Sequence, residues 1–237
     1  MFKNKKFLAI IAARSGSKSI KDKNLSIING NTLLHWIVKK ALKSKYLDKV
    51  YVSTDSKKYQ KLSTTYGAYC PILRPKNLST SDSKEIDYIL HTLEYLSKNN
   101  DFEPDYVVRL QPTSPFQFTS DIDESIKKIV RNKDATSIQV VSESTQPPFK
   151  ALKVYNKKFL KSYFSISNNN VVNRQGLKKA YYRSNIITSK TKTLIKNKCQ
   201  IGNKSLIYKI PTSRSIDIND FYDLEVSRML NKKYKYL

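Results

Sequence analysis

The chain has 237 residues, of which 39% are apolar and 11% aromatic, and this composition is typical of a soluble globular protein with a substantial core. Its formal net charge of +25 favours anionic partners (nucleic acid, membrane surfaces, or small molecules that carry phosphate or carboxylate), unless dispersed lysines simply cover the surface. The two cysteines, Cys70 and Cys199, lie far apart, which argues against a disulfide framework and a structural zinc, and no apolar run approaches the ~20 residues of a membrane helix.

The first apolar run, Phe7–Ala13, follows Lys3, Lys5 and Lys6 and has two interpretations. A basic start followed by apolar residues is also the pattern of a secretory signal. The run is short, however, and Arg14 follows it at once, so a buried strand in a cytoplasmic protein is the simpler interpretation.

Helical and strand-like patterns then alternate along the first half of the chain. The predicted elements are a helix over Thr32–Lys43 with Asn31 as its N-cap, a strand over Val50–Ser53, a helix over Lys57–Tyr66, a strand over Ala68–Leu73, a helix over Ile86–Leu96, a strand over Tyr106–Leu110, a helix over Ile122–Val130 and a strand over Thr136–Val141. This alternation predicts an α/β fold, a mainly parallel twisted sheet flanked by helices.

The pattern changes in the second half. Residues 142–182 are polar and show no clean period, whereas a strand over Ser205–Ile210 and a helix over Phe221–Leu230 are predicted near the end. With no repeat and no obvious linker, the sequence predicts a single domain over residues 1–237 that contains an irregular insertion at 142–182.

Polar segments that could bind a ligand follow several of the strand-like runs. They are Arg14–Asn24, Ser53–Asp55, Gln111–Ser114 and Asp217–Asp220. In an open α/β sheet, ligands bind beyond the carboxyl ends of the strands, so these segments are expected to converge on one crevice.

The first of these segments combines cations with small residues. Arg14, Lys18 and Lys23 accompany Gly16, but the further glycines of a Walker loop or a dinucleotide fingerprint are missing. Charge-assisted hydrogen bonds from such a loop suit a polyphosphate, and a solvated basic loop is the alternative.

Six stretches in order, "AARSGSKSIKDKNL", "VYVSTDS", "ILRPKNLSTSDS", "LQPTSPF", "NRQGLKKAYYRSN" and "SIDINDFYDLE", give the chain its family resemblance. Over about residues 6–231 it resembles the acylneuraminate cytidylyltransferases, the CMP-sialic acid synthetases and their relatives that act on legionaminic and pseudaminic acids. The resemblance implies a Rossmann-like nucleotidyltransferase that converts CTP and a nonulosonic sugar acid into the CMP-sugar and pyrophosphate. It also implies a Mg²⁺ cofactor and a homodimer, with residues 142–182 as the dimerisation and sugar-side insertion.

The resemblance also implies roles for individual residues. Arg14 and Lys23 would neutralise the triphosphate, Ser17 and Lys18 would bind it in the same loop, Asn24 and Arg74 would contact the nucleotide, Gln111 and Arg174 would bind the sugar, and Lys150 would reach the sugar from the partner subunit. The catalytic set is therefore expected to be Arg14, Lys23 and Asp217.

The metal site departs from the family pattern of two aspartates one residue apart. Here the first aspartate is Asp217, and Asn219 takes the place of the second. The Asn219 amide oxygen can ligate Mg²⁺ but carries no charge, and Asp220 follows directly. Asp217, Asn219 and Asp220 are the candidate ligands. Asp220 alone is also a plausible N-cap for the final helix.

Two departures fall on the sugar side. Gln117 stands where the family usually has arginine. In "YYRSNII", Tyr182 takes the position of the family's arginine, Ser184 that of its Asn or Asp, and Asn185 that of its glycine. The glycine position is expected to form a turn. A family member that has lost activity and keeps only binding is therefore an alternative.

Kdo cytidylyltransferases are disfavoured because they have "DEP" where this chain has Pro112-Thr113-Ser114. A nucleic-acid-binding protein is disfavoured because no recognition motif accompanies the charge.

Overall fold

A computed structural model of the chain describes residues 2–146, 148–164 and 179–237. The strands are β1 (Phe7–Ala12), β2 (Ile27–Ile28), β3 (Asn31–Thr32), β4 (Lys49–Ser53), β5 (Tyr106–Leu110), β6 (Ser137–Glu143), β7 (Leu152–Tyr155), β8 (Phe159–Ser162), β9 (Tyr181–Lys190) and β10 (Ser205–Lys209). The helices are α1 (Leu33–Leu42), α2 (Lys57–Thr65), α3 (Glu85–Lys98), α4 (Thr119–Arg131), α5 (Thr191–Asn197) and α6 (Phe221–Tyr234). Single 3-10 turns occur at Lys23–Leu25, Lys76–Leu78, Pro148–Lys150 and Thr212–Arg214.

The central sheet has the strand order β4-β1-β5-β9-β6-β10. β1 is parallel to both of its neighbours, and β6 is parallel to β10. β9 is antiparallel to both β5 and β6. The prediction of a mainly parallel α/β sheet flanked by helices is therefore confirmed, with β9 as one reversed strand inserted in its middle.

β1 explains why the first apolar run is continuous. Phe7, Ala9 and Ile11 pack in a core layer with α1 and α4, whereas Leu8 and Ile10 pack in a second layer with α3. Because successive side chains point to opposite faces and both faces are covered, every position must be apolar. Of the helices in the described ranges, none has the length and apolar character needed to span a membrane.

One predicted strand is wrong, and the sequence did not predict β2, β3, β7, β8, β9 and α5. Ala68–Leu73 forms only a single parallel bridge, between Tyr69 and Tyr51, because Pro71 lacks the N–H that would continue a ladder. The strand β9 and the helix α5 follow the region that the sequence left without regular structure. The N-cap of α1 is Thr32 rather than Asn31, and its hydroxyl accepts from the His35 N–H at 3.0 Å.

The insertion region contains an antiparallel hairpin, β7–β8, whose strands are exposed along their whole length. Leu152, Val154, Phe159 and Leu160 each expose more than half of their surface. Val154 and Leu160 are cross-strand partners and share one face of the hairpin with Leu152, and an exposed apolar patch of this kind is typical of an interaction site.

A largely buried lysine, Lys40 of α1, lies beneath the loop after β5. Its ammonium donates to the Pro115 carbonyl and lies near the ion pair between Asp121 and Arg214, whose Oδ2 and Nη1 are 2.7 Å apart. Burial lowers the pKa of Lys40 from 10.5 to about 8, although Asp121 opposes that shift. The charged form of Lys40 therefore destabilises the folded chain at neutral pH.

We expect the stability of the wild type to rise with pH relative to a Lys40→Met variant. Above the folded pKa the unfolded chain holds the Lys40 proton more tightly than the folded chain, so the free-energy difference should shift by about 2 kcal/mol between about pH 8 and about pH 10. Urea unfolding of both proteins across this range measures the shift, and parallel curves would contradict it.

Candidate functional site

A cleft of about 300 Å³ lies beyond the carboxyl ends of β1, β4 and β5. The residues predicted from sequence that line it are Arg14, Ser17, Lys23, Asn24, Arg74, Gln111, Asp217 and Asn219. Segments up to 200 residues apart in sequence meet here, as in the contact of the Ser19 hydroxyl with the Asn219 carbonyl. Three of the four segments expected to converge line the cleft, whereas Ser53–Asp55 lies behind it and contacts Ser15 and Arg74. The role of each residue stays a prediction.

The loop after β1 is held by side chains on either side of it. The Asp55 carboxylate accepts from the Ser15 N–H at 2.8 Å and from the Ser15 hydroxyl at 3.0 Å, which ties the loop to the end of β4. The Asn24 side-chain amide donates to the Arg14 carbonyl at 3.0 Å. Asn24 thus positions the backbone that carries Arg14. Asp22, where the resembled family prefers glycine, adopts a left-handed conformation with φ 52°.

Lys23 supplies a half-buried cation on the cleft wall. Its ammonium donates to the Ile218 carbonyl at 2.9 Å, which joins the first loop to the Asp217–Asp220 segment. Burial lowers the pKa of Lys23 from its ordinary value, and the neighbouring Asp217 opposes the shift. A phosphate oxygen placed in the cleft would meet this cation together with Arg14.

Arg74 is a second cation of the cleft wall, and its side chain is buried. Its guanidinium lies 4.6 Å from the centre of the Tyr88 ring, and its Nε donates to the Ser53 hydroxyl at 3.0 Å. This fixes the plane of the guanidinium. Thr80, Ser81 and Ser83 add hydroxyl groups to the same wall.

Asp217 is oriented by Asn185 of β9. The Asn185 amide donates to Asp217 Oδ1 at 2.8 Å, to the Ser114 hydroxyl at 2.7 Å and to the Thr113 hydroxyl at 3.2 Å. The Ile218 N–H also donates to the Thr113 carbonyl at 2.9 Å. The Asp217 carboxylate is therefore held against the loop that begins with Gln111.

The turn expected at Asn185 is wrong. Asn185 is buried within the continuous strand β9 and has no positive φ. Gln117 and Ser184 hydrogen-bond to each other in the core.

The remaining predicted residues lie elsewhere. Lys18 is exposed outside the cleft lining, and so is Lys150, which precedes the β7–β8 hairpin. Asp220 is the N-cap of α6, with its carboxylate accepting from the Asp223 N–H at 2.9 Å. Arg174 lies outside the described residues, so its sugar-binding role stays a prediction.

The sequence analysis missed Glu85 and Arg109. Both oxygens of the Glu85 carboxylate, which lines the cleft, accept from Arg109 Nη2, at 2.7 and 2.8 Å. Burial works to raise the pKa of Glu85, but Arg109 holds it below its ordinary value. Arg109 itself could have been a signal, because a charged residue inside the apolar strand "YVVRL" requires an anionic partner when buried.

Comparison with known proteins places the chain in context. Residues 8–223 match a family model described as "Cytidylyltransferase". The chain is 29% identical over 228 residues to an N-acylneuraminate cytidylyltransferase of Escherichia coli, covering 96% of this chain and 52% of that protein. It thus spans about half the length of that relative.

Two further relatives act on other nonulosonic acids according to their names. A pseudaminic acid cytidylyltransferase of Campylobacter jejuni is 28% identical over 233 residues, covering 96% of this chain and 97% of that protein. A CMP-N,N'-diacetyllegionaminic acid synthase of Legionella pneumophila is 36% identical over 139 residues, covering 59% of this chain and 58% of that protein.

Among solved structures, the chain is similar in fold to a CMP:2-keto-3-deoxy-manno-octonic acid synthetase complexed with CTP. The TM-score is 0.70 at 15% identity, and the match covers 96% of this chain and 99% of that one.

Proposed function

The chain belongs to the cytidylyltransferase family, and on that premise we propose that it transfers the cytidylyl group of CTP to a nonulosonic acid of the neuraminate, legionaminate or pseudaminate type. Pyrophosphate is the second product. The observation that carries the proposal is the meeting of Arg14, Lys23, Arg74 and Asp217 in one cleft beyond the parallel strands. The names of the relatives support the substrate class.

The proposed reaction is a displacement at the α-phosphorus. The anomeric hydroxyl of the sugar attacks the α-phosphorus and loses its proton to water, the bond from that phosphorus to the bridging oxygen breaks, and pyrophosphate leaves with the negative charge of that oxygen. Arg14 and Lys23 would neutralise the triphosphate and the developing charge on the leaving group, while Arg74 holds the nucleotide. Positioning of both substrates supplies most of the remaining rate enhancement.

A Mg²⁺ ion is part of the proposal, with Asp217 and Asn219, which line the cleft, as its candidate ligands. Asp220, the third candidate from the sequence, uses its carboxylate to cap α6 outside the cleft lining. Among the residues that the structure describes, no three His, Cys, Asp or Glu side chains are grouped to hold a metal. Mg²⁺ nevertheless fits, because it is commonly bound through one or two carboxylates together with phosphate oxygens and water. Asp217 supplies such a carboxylate in the cleft. When bound, the ion would neutralise phosphate charge.

Asn219→Asp restores the second aspartate of the family pattern. We expect unchanged or increased turnover and half-maximal activity at a lower Mg²⁺ concentration, because a carboxylate binds the ion more strongly than an amide. Initial rates measured across a Mg²⁺ series test this. A collapse in rate would mean that Asn219 has a role of its own.

We also propose a homodimer acting in the cytoplasm, where CTP is available. The exposed apolar hairpin β7–β8 offers a surface that a second copy could cover, and Lys150 lies beside it. Sedimentation of the wild type against Val154→Glu tests this assembly, because a charge in the contact would favour the monomer.

Pyrophosphate release from CTP tests the proposed function. The assay supplies Mg²⁺ and, separately, N-acetylneuraminate, N,N'-diacetyllegionaminate, pseudaminate and Kdo, with ATP and UTP replacing CTP as controls. Turnover with CTP and a nine-carbon acid is expected. CTP binding without turnover would indicate an inactive family member, and tight, salt-sensitive binding of nucleic acid instead of CTP would indicate the nucleic-acid alternative.

A further inference from the structure

Glu85 brings an anion into a cleft otherwise rich in cations. Arg109 lies in β5 with 7% of its side chain exposed, and its Nη2 donates to both oxygens of the Glu85 carboxylate. The Glu85 side chain is 40% exposed and lines the cleft beside Gln111. The contact is charge-assisted, and loss of Glu85 would leave the buried guanidinium of Arg109 without its counter-ion.

The Glu85 carboxylate determines which end of the Gln111 amide faces the cleft. Gln111 Nε2 lies 2.7 Å from Glu85 Oε1, and the other carboxylate oxygen accepts from the Gln200 amide at 3.0 Å. An ionised carboxylate can only accept hydrogen bonds, so the atom of Gln111 that contacts it must be the nitrogen. The Gln111 amide oxygen is therefore left for a ligand.

Arg109 extends the same network to the acidic side of the cleft. Its Nη1 donates to the Asn185 amide oxygen at 3.4 Å, and the Asn185 nitrogen then donates to Asp217. Arg109 thus links the Glu85 carboxylate, which holds Gln111, to the Asn185 amide, which holds Asp217.

We propose that Glu85 and Arg109 are positioning residues that make Gln111 a hydrogen-bond acceptor for the sugar substrate. The group of the sugar that meets Gln111 is then a donor, a hydroxyl or an acylamino N–H, rather than the carboxylate. This inference rests on the proposed function, because Gln111 is assigned to the sugar there.

Steady-state kinetics of a reciprocal exchange test the orientation. Glu85→Gln frees the Gln111 amide to rotate, so KM for the sugar acid should rise about tenfold or more while KM for CTP changes less than about threefold. In the double variant Glu85→Gln with Gln111→Glu, position 111 again presents an oxygen, and KM for the sugar should recover toward the wild-type value. If Gln111 instead donates to the sugar, the double variant lacks the donor and stays at least as impaired as the single one, which would overturn the proposal.

The control is Glu94→Gln, on the exposed part of the same helix α3, where Glu94 pairs only locally with Lys98 at 2.6 Å. It should leave all kinetic constants near the wild-type values. An equal rise of both KM values in Glu85→Gln would indicate general damage to the cleft and would also contradict the proposal.

Hydrogen exchange of the Gln111 side chain separates this inference from the proposed function. In ¹⁵N-labelled wild type, the Gln111 amide protons, identified by their loss in Gln111→Glu, should exchange slowly, and Glu85→Gln should abolish that protection. Fast exchange in the wild type would overturn the inference whether or not any sugar is turned over. Absence of turnover in the wild type would overturn the proposed function, and with it the sugar as the partner of Gln111.

Discussion

Replacing Lys23 with alanine is expected to lower kcat/KM by about 10²- to 10⁴-fold while the fold stays intact. Lys23 lies at the point where the first loop meets the Asp217–Asp220 segment, and its ammonium is half-buried in the cleft. A partly desolvated cation stabilises phosphate charge more strongly than an exposed one. The effect should fall mainly on kcat, because the charge on the leaving pyrophosphate develops in the transition state.

Pyrophosphate release measures the loss, and thermal unfolding followed by circular dichroism checks the fold. Lys21→Ala is the matched control, because Lys21 lies in the same loop but is exposed and outside the cleft lining. It should retain nearly full activity. Full activity in Lys23→Ala would remove Lys23 from the mechanism.

The second large effect is expected for Asp217→Asn, a nearly isosteric change that removes one charge. Asn185 can still donate to the new amide oxygen, so the position of the side chain should be kept. We expect kcat to fall by about 10²-fold or more, because a carboxylate is the stronger ligand for Mg²⁺ and the amide cannot replace its charge.

Initial rates at saturating and limiting Mg²⁺ check this prediction. Asp134→Asn is the control, because Asp134 is exposed in the turn between α4 and β6 and does not line the cleft. Loss of a charged partner costs well over 1 kcal/mol, which is more than a threefold change in rate represents. Rates for Asp217→Asn within about threefold of the wild type would therefore contradict the role assigned to Asp217.

The sequence predicted the parts of the site that depend on local pattern. Apolar runs such as Phe7–Ala12 predict strands, and polar residues directly after them must lie at one edge of a parallel sheet. Arg14 could therefore be placed at that edge before the fold was known, whereas Lys23 and Asp217 were singled out by the family resemblance. Lys18 was predicted to bind the triphosphate but lies outside the cleft lining, because strand periodicity does not determine where an exposed loop side chain points.

The positioning residues could not be predicted in the same way. Asn185 reaches Asp217 only because β9 runs antiparallel between β5 and β6, and the polar sequence before it gives no sign of that insertion. Glu85 is the first residue of α3, and nothing local distinguishes it from other acidic residues in a first helical turn. The pairing with Arg109 follows from tertiary packing. The N-cap at Asp220, in contrast, is a local contact with Asp223, which is why the sequence could offer it as an alternative.

In the proposed reaction the sugar hydroxyl attacks the α-phosphorus of CTP in this cleft. Phosphorus NMR of a reaction that contains the chain, CTP, Mg²⁺ and the accepted nonulosonic acid distinguishes this attack from attack at another phosphorus. We expect equal amounts of pyrophosphate and one new phosphodiester signal from the CMP-sugar. Formation of CDP and inorganic phosphate, or an unchanged CTP spectrum with every acid, would contradict it.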